Sequence, residues 1–348
     1  MSNYRDFIDT PLEGLDYSFL NYLTKKKDFE RKHLDGNGLP NYAFKTDYEL
    51  RKKLDSMPGV YKFAKTYCAT IVPQAIQQYS MQGVTVGPNQ FPEIYEMVRD
   101  CANTLGIGIP TLIIVPSFST GDSVTDFNAC TMATDDIEPV ILVTGLIIER
   151  FTADELKSVI AHECGHIHNN HTLYRLISDI LLNFGINGLI NFAANTGVSI
   201  PGLQLLLNGL TAGAQLALQM WSRAAEVSAD RASVICMGGV DAVKSSLGKF
   251  MYNGADLSNS TSAEINLDAL KEQMEIILNS PYRIAELDAS HPMSIKRVFA
   301  ALDFAECERF YSWRPDLKAP GKKLYTKDET DNRCKRYINV LDTKGAKK

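Results

Sequence analysis

The chain is short of the residues that announce several common functions. It has six histidines and two tryptophans in 348 residues, and its seven cysteines include no C-x-x-C pair. An odd number of scattered thiols argues against a disulfide framework and for a reducing compartment. An excess of positive charge is also missing: 36 basic residues against 41 acidic ones leave a net charge of −5. A general nucleic-acid binder would show the opposite balance, so no nucleic-acid partner is expected. The opening MSNYRDFIDTPLEGLDY lacks a basic region followed by an apolar one. No cleavable secretory signal is therefore expected, and a cytoplasmic location is. Finally, residues 180–222 contain no Asp, Glu, Lys, Arg or His.

What is present describes a globular chain. Hydrophobic residues make up 45% and charged residues 22%, near the average for folded proteins. The length allows one large domain or two modest ones, with core enough to need no staples. Residues 311–348 carry eight Lys and three Arg against five acids, which reads as a solvated basic tail. Short helices are expected before residue 60, then a longer one from about Val60 to Ser80 and a short strand at Gly83–Gly87. Pro92 opens and Gly106 closes a further helix. Thr111–Val115 and Val140–Val143 are apolar, β-branched runs that predict buried strands. Thr152 and Glu155 form a capping box that starts a helix running through His162.

The uncharged stretch has its own pattern. Asn183, Asn187, Asn191 and Asn195 recur every fourth residue, and after Pro201 the residues Gln204, Asn208, Thr211, Gln215 and Gln219 recur three or four apart, also at helical spacing. Two amphipathic helices joined near 197–202 are expected. The absence of charge favours membrane contact. The regular amides oppose a spanning helix, since unpaired amides are costly in lipid. A hairpin packed over a cleft, with at most peripheral membrane contact, is the expectation.

Chemistry is carried by His162-Glu163-Cys164-Gly165-His166, an H-E-x-x-H motif. On a helix, histidines four apart lie about 40° apart and one turn up, so both imidazoles reach one zinc ion. Glu163 stands on the adjoining flank, placed to hold a zinc-acidified water and take its proton. Leu156, Val159, Ile160, Cys164 and Ile167 form an apolar face from which the two histidines point away, as cleft-lining residues should. A catalytic zinc keeps three protein ligands and one open position. A third histidine in metzincin spacing is excluded, because Asn169 and Thr172 occupy the required positions. His168 and His171, on a continuing helix, would project about 120–180° from both ligands and read as surface or packing residues. The carboxylates closest after the uncharged stretch are Glu226 and Asp230. Being four apart they share a helix face, so one can bind zinc while the other accepts the free N–H of a ligand histidine.

Three ordered segments, H-E-C-G-H, Ser222-Arg223-x-x-Glu226-x-x-Ala229-Asp230, and Ser290-His291-Pro292 followed by Arg297, resemble the HtpX and CAAX prenyl protease-type zinc metallopeptidases, metallopeptidase family 48. The resemblance runs from about Gly83 to Leu302. It implies an α+β fold, mainly helical with a small sheet: a zincin-like protease with an active-site helix and an edge strand. It implies zinc on His162, His166 and Glu226, with Glu163 as general base and Asp230 supporting a ligand histidine. His291 and Arg297 would sit near the substrate and stabilise the oxyanion. Asn128, Ala129 and Cys130 would belong to an edge strand that pairs with substrate backbone. Three regions follow: an N-terminal helical extension (1–82), a protease domain (83–312) and a basic tail (313–348). Cys164 replaces a usually aliphatic residue and reads as core packing. The expected function is zinc-dependent endoproteolysis of peptides or unfolded proteins, in keeping with protein quality control. Two other readings stay open at this point: a non-catalytic, zinc-stabilised peptide-binding module, and a membrane-associated protease of prenylated or membrane peptides.

Overall fold

The computed structural model describes residues 39–120, 123–134, 137–175, 178, 212–255, 265–281, 286 and 292–340. His291 and residues 180–211 of the uncharged stretch lie outside the described residues. The architecture is mainly helical around a small mixed sheet. Four strands, β1 (Val84–Thr85), β2 (Thr111–Val115), β5 (Ala129–Thr134) and β6 (Ile137–Thr144), are arranged in the order β1-β2-β6-β5. β2 and β6 run parallel and the outer pairings are antiparallel. Between β2 and β5 a separate hairpin is formed by β3 (Phe118–Thr120) and β4 (Ser123–Thr125). Among the described residues β5 is therefore an edge strand.

The sheet is covered on both faces. Helix α1 (Lys45–Asp55) is followed by α2 (Pro58–Gln82), which lays Ala75, Ile76 and Tyr79 against Ile113, Leu142, Cys130 and Met132. On the other face lie α3 (Pro92–Leu105) and, after the short α4 (Gly145–Arg150), α5 (Ala153–His168). α3 begins with Pro92 in its first turn and stops at Gly106, whose φ of 71° is the left-handed conformation that glycine adopts without penalty. The Thr152–Glu155 capping box opens α5 with both reciprocal hydrogen bonds made.

α5 packs against the long helix α6 (Ala212–Met237), and one residue sets their separation. A Cβ on Gly165 would lie 2.7 Å from Ala232 Cβ and 3.0 Å from Ala229 Cα, so only glycine lets the two helices approach this closely. The remaining helices, α7 (Asp241–Met251), α8 (Leu267–Asn279), α9 (Ser294–Ala305), α10 (Glu308–Trp313) and α11 (Lys327–Ile338), close around this pair. The basic excess of 311–348 does not keep α11 in solvent. Cys334 and Ile338 are buried with Phe44, Ala224, Val227 and Ala300. Asp331 offsets the charge there by pairing with Arg231 at 2.7 Å and Lys327 at 2.9 Å. Among the described residues no helix is long and apolar enough to cross a membrane.

Candidate metal centre

The Gly165 contact brings a face of α6 over the middle of α5, and three side chains converge. His162 Nε2 and His166 Nε2 are 3.0 Å apart; His162 Nε2 lies 3.4 Å from Glu226 Oε2 and His166 Nε2 lies 3.4 Å from Glu226 Oε1. Among the described residues, His162, His166 and Glu226 are the group of metal-ligating side chains that could hold one ion. Four ligands on a tetrahedron of ~2.0–2.1 Å bonds are separated by about 3.3–3.4 Å, so the spacing fits zinc. The donor set, two imidazoles and a carboxylate, is also that of a three-ligand catalytic zinc site. Glu163 is buried beside it and lines the same cavity of about 140 Å³, with Asn128, Ala129, Arg175 and Arg297.

The two histidines are supported in different ways. His162 Nδ1 donates to Asp230 Oδ1 at 2.9 Å, which leaves Nε2 facing the metal position. Arg297 grips the same carboxylate twice, Nε to Oδ2 at 2.8 Å and Nη2 to Oδ1 at 2.7 Å, and places Nη1 3.0 Å from Glu226 Oε2. Burial pulls the His162 pKa down, but hydrogen bonds to Asp230 and Glu226 outweigh it and raise it to about 9 in the metal-free protein. Burial likewise opposes ionisation of Asp230, and Arg297 overrides it and holds the carboxyl below its usual range. His166 is fully buried, and burial, reinforced by Arg175, drives its pKa well below the ordinary value. Its Nδ1 meets His171 Nδ1 at 2.9 Å.

That contact corrects the sequence reading of His171. α5 does not continue to residue 171: it ends at His168, and Asn170 takes a left-handed φ of 54°. The chain folds back so that His171 N–H donates to His166 O at 3.0 Å, the long hydrogen bond of a Schellman turn. His171 is completely buried, a packing position reached by the turn and not by a continuing helix. His168 is a packing residue, as expected, with its Nδ1 2.9 Å from the Tyr42 hydroxyl. Cys164 is fully buried, and burial pushes its thiol pKa far up, so it is inert packing.

Sequence reasoning missed two residues that hold Glu163. Thr131 Oγ1 donates to Glu163 Oε2 at 2.7 Å, and Arg175 Nη1 donates to the same oxygen at 3.2 Å. Strand alternation could have found the first, because Ala129, Thr131 and Ala133 must share one face of β5. Cys130 points to the other face, into the cluster beneath α2, whereas Asn128 and Ala129 line the cavity. Asn128 is fixed at the start of the strand, its N–H donating to Thr144 Oγ1 at 3.1 Å and its side-chain carbonyl accepting Ala129 N–H at 2.9 Å.

Residues 88–305 match the family model described as Peptidase family M48. Curated relatives include a plastoglobule-localized metallopeptidase 48 of Arabidopsis thaliana, 27% identical over 280 residues that cover 78% of this chain and 73% of the relative. A protease HtpX homolog of Paraburkholderia phytofirmans is 26% identical over 246 residues, 68% of this chain and 81% of the relative. Another, from Acaryochloris marina, is 28% identical over 241 residues, 64% and 75% of the two chains. No solved structure matches the chain.

Proposed function

This chain belongs to peptidase family M48, and on that footing we propose that it is a zinc-dependent endopeptidase acting on peptides and unfolded proteins. Supporting the reading above all is the convergence of His162, His166 and Glu226 beside a buried carboxylate, Glu163, at the end of an edge strand. His162, His166 and Glu226 would hold zinc, which when bound supplies a Lewis acid for the scissile carbonyl and acidifies a water. Glu163 takes the proton of the attacking water and delivers it to the leaving amine, as general base and then general acid. Thr131 and Arg175 keep one Glu163 oxygen engaged, so the other is directed to the reaction. The open edge of β5 from Asn128 through Cys130 accepts an extended substrate by main-chain pairing, which favours unfolded polypeptide over folded protein. Arg297, with three nitrogens directed at Asp230 and Glu226, serves the ligands, while His291 retains the role of oxyanion partner. A reducing, cytoplasmic setting suits a chain with an odd number of scattered cysteines and no C-x-x-C pair.

The test is cleavage of an unfolded protein such as casein by wild type and Glu163→Gln. The variant should retain one zinc per chain and lose turnover by ~10²-fold or more, the usual contribution of a general base. Undiminished turnover in that variant would overturn the mechanism.

A further inference from the structure

The support of His166 extends into a part of the chain that the family match does not cover. His166 presents Nε2 to the metal position, so its proton lies on Nδ1 and is donated to His171 Nδ1 at 2.9 Å. His171 must then carry its own proton on Nε2, and it donates that proton to Asp47 Oδ2 at 2.9 Å. Asp47 belongs to α1, ahead of the matched residues 88–305, and is buried. Its other partners are also donors: Ser228 Oγ–H to Oδ2 at 2.6 Å and Trp221 Nε1–H to Oδ1 at 2.9 Å. Three donors on one side chain demand an acceptor with no proton of its own, which among side chains of this size is an ionised aspartate.

We propose that Asp47 and His171 are positioning residues of the metal centre, a hydrogen-bonded chain that fixes the tautomer and ring orientation of His166. The inference rests on the reading of His166 as a zinc ligand. A ligand histidine backed by a carboxylate binds metal better, because the second nitrogen is held protonated and the ring is oriented before metal arrives. Here the carboxylate acts at one remove, through a second imidazole. No water can substitute for it, because His166, His171 and Asp47 are all enclosed. The helix that carries Asp47 is therefore a working part of the metal centre as well as a packing element.

The experiment measures zinc affinity of the full-length protein by competition with a chromophoric chelator, together with thermal unfolding of each metal-free variant. His171→Ala removes the acceptor for His166 and should weaken zinc binding by ~10–100-fold. His171→Asn places an acceptor near the Nδ1 position but cannot reach Asp47, so its affinity should fall between those of His171→Ala and wild type. Asp47→Asn should weaken binding to about the same extent as His171→Asn. Trp221→Phe removes a different donor from Asp47 and leaves the chain to His166 intact, so its affinity should stay within about threefold of wild type. That order of affinities, in variants that fold without metal, supports the proposal. Wild-type affinity in folded His171→Ala overturns it, and so does a loss in Trp221→Phe as large as in His171→Ala, which would mark a general loosening. If Asp47→Asn does not fold, the two His171 variants decide. Absence of zinc binding in wild type would instead remove the metal-centre reading itself, a result distinct from the others.

Discussion

The two histidines of the H-E-x-x-H motif stand one helical turn apart and are held by opposite kinds of surroundings. His162 is at the cleft wall, backed directly by Asp230, with Arg297 bridging that carboxylate and Glu226. All of its supports lie on α6 and α9, inside the family segment, and they form an ionic cluster. His166 is fully enclosed and backed by the His171 imidazole, which in turn meets Asp47 on α1. The ionic side tolerates partial solvent because its charges are paired. Behind His166 the enclosed side instead places a carboxylate two hydrogen bonds away and satisfies it with three donors, since an unpaired charge there would be costly. On the proposed reading, one metal ion would join a support from the family segment and a support supplied by the N-terminal part of the chain.

That contrast can be broken at its centre first. Glu226→Ala removes the ligand shared by both sides and should abolish stoichiometric zinc, read by metal analysis after dialysis. Retained zinc would show that another side chain completes the site. Asp230→Asn comes next. It keeps the shape but replaces one acceptor oxygen by a donor and leaves Arg297 unbalanced, so zinc affinity should fall by ~10–100-fold. If the direct carboxylate matters more than the relayed one, this loss exceeds that of Asp47→Asn in the same competition assay. Thr131→Val leaves both histidines untouched and removes one of the two donors to Glu163 Oε2, leaving that of Arg175. A hydrogen bond to a charged group contributes ~1.5–3 kcal/mol, so turnover should drop about tenfold or more with zinc content unchanged.

The smallest effect on zinc is expected from Asp331, which pairs with Arg231 and accepts the Lys45 N–H at the start of α1 at 3.4 Å. Arg231 pairs with Asp331 at 2.7 Å and donates to Tyr42 O at 3.0 Å, fastening the segment ahead of α1 to α6. Burial raises the Asp331 pKa, but Arg231 and Lys327 outweigh it and hold the carboxyl below the usual range. A folded value below the unfolded one gives stabilisation that is complete above the unfolded pKa of about 3.9 and lost as pH falls through the folded value. Asp331→Asn should therefore destabilise the metal-free protein at pH 7, by up to ~3–5 kcal/mol for a broken buried pair. It should also flatten the acid limb of the stability curve below about pH 4. Zinc affinity at pH 7 should change less than threefold; a larger change would mean that docking of the N-terminal segment itself governs the metal.

How much of this was legible in the sequence follows the same division. The ligand helix, its capping box, the helix Pro92–Leu105 and the strand Thr111–Val115 are local patterns, and they occur where the sequence places them. Glu226 and Asp230 could be paired because helical spacing four apart is also local. His171 was misplaced because the angular argument extended α5 past its end; the Asn169–Asn170 pair was the available signal, as asparagine tolerates the left-handed turn found at Asn170. Asp47 had no signal at all. Its role depends on a contact with a residue 124 positions away, and spacing rules say nothing at that range. Thr131 falls between these cases, since alternation fixes its face but only the packing of β5 on α5 brings it to Glu163.

The central claim is that zinc is bound by His162, His166 and Glu226, with His171 behind His166 and the thiol of Cys164 uninvolved. X-ray absorption at the zinc edge, on protein loaded with one equivalent, tests it most directly. The account predicts two imidazole ligands, the remaining donors oxygen, and metal–ligand distances of ~2.0–2.2 Å. A third imidazole, or a sulfur scatterer at ~2.3 Å, would contradict it.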